Sequence, residues 1–144
     1  GTILIELDRI GAGQGFEADG ELSNEEKANR LNSFLDALQN LWSSGRQTRF
    51  LADISPKFIA AAWMKVKNPI FLETVNLNEE TAINIDELKQ VVSDFDRFIE
   101  SHVFAGQASL FNNDGKAMDT LKDGFDKIRE WVGKHYGVKM AELV

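Results

Sequence analysis

The side chains best suited to chemistry lie in residues 44–67, where Arg46, Arg49, Lys57, Lys65 and Lys67 stand against Asp53 alone, a net charge of +4. Residues 1–43 carry 8 acidic and 3 basic side chains, a net −5, and residues 68–144 carry 14 and 8, a net −6. Cations gathered in this way can hold phosphate oxygens, because each contact releases counterions condensed on a nucleic-acid backbone. A merely solvated charged face is the plain alternative. The overall charge of −7 argues against attraction of nucleic acid by the whole surface, so any such binding is local.

Other chemistries find less support. There is no cysteine, which excludes disulfides and thiolate metal sites, and His102 and His135 are too far apart for a local metal motif. Gly11, Gly13 and Gly15 give a Gly-x-Gly-x-Gly pattern without the helix start and lysine of a phosphate-binding loop, so they read as a plain loop. Asp53 stands alone beside the basic residues, and a lone aspartate without a second ligand is a poor metal site. The expectation is no catalytic residue, no metal and no cofactor.

These residues need elements to position them. At 144 residues and 43% apolar, the chain suits one core, read as a single α+β domain over residues 1–137 with a loose tail at 138–144. Ile3, Ile5 and Leu7 alternate, predicting a strand over 2–9. Ser23 with Glu26 has capping-box spacing and predicts a helix that Gly45 ends, with Ala28, Leu31, Phe34, Leu35, Leu38, Leu41 and Trp42 as its apolar face.

The polar residues 46–56 read as a loop. Residues 57–67 read as a strand buried in mid-sheet, and Asn68-Pro69 as the turn into another strand over 70–77. A second helix is predicted from Asn84 to about His102, a last strand over 103–111, and a third helix from about Lys116 to Lys134. That order is a ferredoxin-like βαββαβ plan with a C-terminal helix, shared by RNA-recognition modules and many other proteins. The aromatic stacking pattern of RNA-recognition strands is absent around Phe58, Trp63 and Phe71. The longest apolar run, residues 58–64, is far short of the roughly 20 residues of a membrane helix. No charged-then-apolar leader opens the chain, and a cytoplasmic protein without membrane contact is expected.

The run Gly45-Arg46-Gln47-Thr48-Arg49-Phe50-Leu51-Ala52-Asp53-Ile54-Ser55-Pro56-Lys57-Phe58-Ile59, followed by Asn68-Pro69-Ile70-Phe71, resembles the DevR-type family of CRISPR-associated proteins, the repeating backbone subunit of type I-B Cascade complexes. Leu7-Asp8-Arg9-Ile10-Gly11 resembles the family's strand ahead of this loop, and beyond about residue 111 the likeness is only of helical pattern. The family is longer, and the match corresponds to its C-terminal half. A strand-like segment that begins directly after Gly1 agrees with a piece of a longer chain, a tag remnant being the other reading.

The resemblance implies a non-catalytic, RNA-recognition-type subunit that polymerises along a CRISPR RNA and meets target DNA through the guide. Its expected partners are that RNA, neighbouring copies of itself and other Cascade subunits. Arg46, Gln47, Arg49 and Lys57 are the implied guide contacts, with Arg46 and Arg49 as phosphate clamps and Arg9 as a lesser candidate. In related type III backbone subunits a loop aspartate supports metal-dependent RNA cleavage, which makes a ribonuclease-like subunit using Asp53 one alternative. A small ferredoxin-like domain whose basic segment meets an acidic protein is the other.

Overall fold

The computed structural model describes residues 1–12, 20–41, 54–79, 81–111 and 118–139. Among these the chain is α+β: helix α1 (Asn24–Gln39), strand β1 (Phe58–Met64), helix α2 (Ile85–Asp94), strand β2 (Ile99–Gly106) and helix α3 (Leu121–Tyr136). Short 3-10 turns occupy Leu7–Arg9, Asp96–Phe98 and Ala108–Leu110. Two compact units result, one of Gly1–Asp8 with Lys57–Ile128, the other of Arg9–Pro56 with Arg129–Val144.

In the first unit, β1 and β2 pair antiparallel, from Phe58 opposite Gly106 to Met64 opposite Ile99, with an irregularity at Trp63 and Met64. Side chains alternate across a strand, so Phe58, Ala60 and Phe104 share one face. They pack there with Ile83, and with Ile85 and Leu88 of α2, joined by Phe71, Val92, Phe111 and Met118. On the other face lie Ile59, Val103 and Ala105, and Gly124 of α3 sits directly against Ile59 and Ala105. Both faces are covered along Val103–Gly106, which is why that half of β2 lacks a polar alternate face, while Glu100 and His102 nearer its start are exposed. Leu88 and Phe125 are the largest side chains fully shut from water, each worth roughly 1.5–3 kcal/mol of burial.

Among the described residues the sheet has only two strands, so β1 is an edge strand and not the mid-sheet strand expected. Every β1 residue is only half-buried, whereas the last four of β2 are buried. The Asp119 N–H donates to the Phe104 carbonyl (2.8 Å), and its own carbonyl accepts from the Gly106 N–H (2.9 Å), so residue 119 flanks β2 on the edge away from β1.

Several expected elements change. Residues 2–6 carry no strand, and 7–9 form a 3-10 turn. Residues 70–74 are consecutive turns after Pro69, whose fixed φ and missing donor open that course, with the Leu72 N–H donating to the Pro69 carbonyl (3.1 Å) and the Thr74 N–H to that of Phe71 (3.3 Å). Only Leu77 pairs from that stretch, in an isolated bridge to Ile83. The second helix stops at Asp94, because Phe98 and Ile99, which continue its apolar spacing, instead enter the pairing with β1: the Lys65 N–H donates to the Phe98 carbonyl (2.8 Å). Asn84 precedes α2 without a side-chain cap bond.

The third helix begins at Leu121, later than expected. Thr120 Oγ1 accepts from the Asp123 N–H (3.1 Å) and donates to the Asp123 carboxylate (2.7 Å), a reciprocal cap that ties the helix start to the residue after Asp119.

In the second unit, Ser23 caps α1 as expected, its Oγ accepting from the Glu26 N–H (3.2 Å), while the Glu26 carboxylate accepts from Arg30 rather than completing a box. The helix ends at Gln39, six residues before Gly45, where the Asn40 N–H (3.0 Å) and side-chain amide (2.9 Å) both donate to the Asp36 carbonyl. Ala28, Leu31 and Leu35 form its buried stripe, and Phe34 is exposed. The helix runs antiparallel to residues 129–136 of α3: Arg129 bonds Asn32, Asp36 and Gln39, and the Asn24 amide donates to the Tyr136 carbonyl (3.1 Å). Gly137, at φ +69°, takes the left-handed position that lets the Val138 N–H close on the Gly133 carbonyl (2.9 Å). Among the described residues no helix is long and apolar enough to cross a membrane.

Candidate nucleic-acid interface

Of the predicted contacts, Arg46, Gln47 and Arg49 lie outside the described residues, as does Asp53. Lys57 and Arg9 are described, but in different units. Lys57 is half-buried immediately before β1, its carbonyl accepting from the Gln107 N–H (2.9 Å). That bond ties the residue before β1 to the residue after β2. Arg9 is exposed at the end of its 3-10 turn.

The structure redistributes the charge of residues 44–67. Lys65 Nζ lies 3.3 Å from Glu100 Oε1 and Lys67 Nζ 2.8 Å from Glu6 Oε2, so two of the five cations already face carboxylates. Lys65 and Glu100 are each about half exposed, and such pairs contribute roughly 0–1 kcal/mol, weak enough to be exchanged for a phosphate. Sequence separations of 35 and 61 residues hide both pairings from any local reading.

A second polar site was not foreseen. Along the edge of β2 opposite β1, a groove of about 320 Å³ is lined by Lys89 of α2, His102 and Phe104 of β2, Met118, Asp119 and Lys127 of α3. Lys127 Nζ meets Asp119 Oδ2 at 2.6 Å, and the His102 ring lies 5.3 Å from that of Phe104 on the same face of the strand. Lys89 has no ion-pair partner among the described residues. In the sequence, Lys89 and Lys127 look like ordinary charges on the solvated faces of two helices, and no spacing links them to His102. Among the described residues no three potential ligands gather into a metal site. No family model, curated protein or solved structure matches the chain.

Proposed function

We propose that the chain is part of a non-catalytic, cytoplasmic CRISPR RNA-binding backbone subunit of a type I Cascade surveillance complex. It holds the guide through sequence-independent phosphate contacts from Arg46 and Arg49, assisted by Gln47, Lys57 and, less directly, Arg9. The observation that carries this reading is the run of residues 45–59 followed by Asn68-Pro69-Ile70-Phe71, in a segment of net charge +4 within an acidic chain. A subunit that must accept any guide needs backbone contacts rather than base readout.

The finer ferredoxin-like plan belongs to the same proposal. It requires residues 2–7 and 70–77 to pair as strands once the subunit assembles with RNA and its neighbours. Exposed apolar side chains in these two stretches, Ile3, Leu4, Leu72, Val75 and Leu77, support that reading. Amide hydrogen exchange checks it: protection of residues 2–7 and 70–77 should rise on assembly.

The test of function is RNA binding by the protein expressed from its complete reading frame. The double variant Arg46→Ala with Arg49→Ala should weaken binding alike for unrelated RNA sequences. It should also lower the slope of log affinity against log salt by about 1.4, two phosphate contacts at about 0.7 each on single strands. Salt-independent binding, or a double variant that binds like the parent, would sink the reading.

A further inference from the structure

The groove beside β2 has three properties of a nucleotide site. Its cations come from separate elements packed into one unit: Lys89 from α2 and Lys127 from α3, which line the groove together with His102. Its lining includes half-buried Met118, an apolar side chain against which a base can lie, while Phe104 is buried in the core.

The third property is the strand edge. Asp119 pairs with the backbone of Phe104 and Gly106, and alternate residues of a strand turn their N–H and C=O to the same side. The N–H and C=O of His102 therefore face this groove too, one pair beyond the Asp119 bridge. They offer a donor and an acceptor side by side, as a base or sugar edge requires.

We propose that this groove binds a nucleotide by its phosphate, with Lys89 and Lys127 as the cations and His102 hydrogen bonding the base or sugar. Lys89 is available as it stands. Lys127 is held by Asp119, whose carboxylate also repels an incoming anion, so Asp119 tunes the site downward. The phosphate belongs either to a free nucleotide or to one unit of an RNA strand. The assignment stands independently of the guide-RNA reading, because it rests on residues outside the segment 44–67.

The two carboxylate and lysine positions have opposite predicted signs, which a purely structural role would not produce. Calorimetric titration of the intact chain with AMP should show affinity falling roughly tenfold in Lys89→Ala, the loss of one charge-assisted hydrogen bond, and rising several-fold in Asp119→Asn, which keeps the backbone bridge. Adenosine, lacking the phosphate, should respond to neither. Both variants should keep the parent's melting temperature within a few degrees.

A 12-residue oligouridylate separates the two sources. If the phosphate is that of RNA, Lys89→Ala lowers the salt slope by about 0.7. An unchanged slope together with weakened AMP binding assigns the groove to free nucleotides. The proposal is overturned if Lys89→Ala alters neither AMP affinity nor the oligouridylate slope, or if Lys89→Ala and Asp119→Asn shift AMP affinity in the same direction.

Discussion

Arg129 donates to Asp36 Oδ1 at 2.6 Å, and the same guanidinium reaches the side-chain oxygens of Asn32 (3.0 Å) and Gln39 (2.9 Å). One side chain thus spans two turns of α1 from α3, and it is only 17% exposed. A planar fork can meet three acceptors at once, whereas an ammonium on a flexible stem cannot reproduce that geometry. Arg129→Ala should lower stability by about 2 kcal/mol, and Arg129→Lys should recover less than half of it, as read by urea denaturation. Asp36→Asn should cost less than about 1 kcal/mol, because Asp36 itself is exposed.

At Gly124, α3 comes close against the sheet. A Cβ there would overlap the Ala105 Cβ and lie 3.0 Å from Ile59 Cδ1. Ala105 is fully buried and its Cβ is attached to strand backbone, so it has nowhere to move. Gly124→Ala should therefore destabilise by about 1–3 kcal/mol, although alanine would favour an isolated helix by about 1 kcal/mol. Thermal unfolding checks the sign, and a variant more stable than the parent would refute the close packing.

Lys27 is buried in the first turn of α1, with its ammonium against the exposed carboxylate of Glu21. The hydrogen bond from Lys27, and then its charge, hold the Glu21 carboxyl below its ordinary value of 4.5. A depressed carboxyl stabilises the fold above the unfolded value and loses that contribution as pH falls through the folded one. Stability measured from neutral pH downward should begin to lose this increment near pH 4.5, and Glu21→Gln should remove that part of the pH dependence.

Thr81 takes a left-handed backbone, φ 64°, in the turn where Asn78 Oδ1 accepts from the Ala82 N–H (2.9 Å) and the Asn78 N–H donates to the Ala82 carbonyl (2.9 Å). A β-branched residue is strained there by roughly 1–2 kcal/mol, part of which glycine returns as unfolded-chain entropy. Thr81→Gly should stabilise by about 0.5–1 kcal/mol in denaturant unfolding. Asn78→Ala should destabilise by about 1 kcal/mol, since the Ala82 N–H loses its acceptor.

Local signals carried far in this chain where the bond they describe is itself local. Ser23 caps its helix, the apolar triplet Ala28, Leu31 and Leu35 is buried, and the run from Phe58 to Met64 is a strand. The same reasoning misplaced boundaries where another bond, long-range or local, competed. Phe98 and Ile99 suit a helix stripe but pair with β1, and the Ile70 to Leu77 run suits a strand but turns back after Pro69.

For the candidate sites the division is similar. The basic segment is visible in the sequence because its cations are neighbours along the chain, and with it the residue types suited to phosphate. Tertiary structure alone decided that Lys65 and Lys67 face Glu100 and Glu6, and that Lys89, His102 and Lys127 line one groove. The reason is physical: a charge acts through space over a few ångströms, and only folding makes residues 38 positions apart into neighbours.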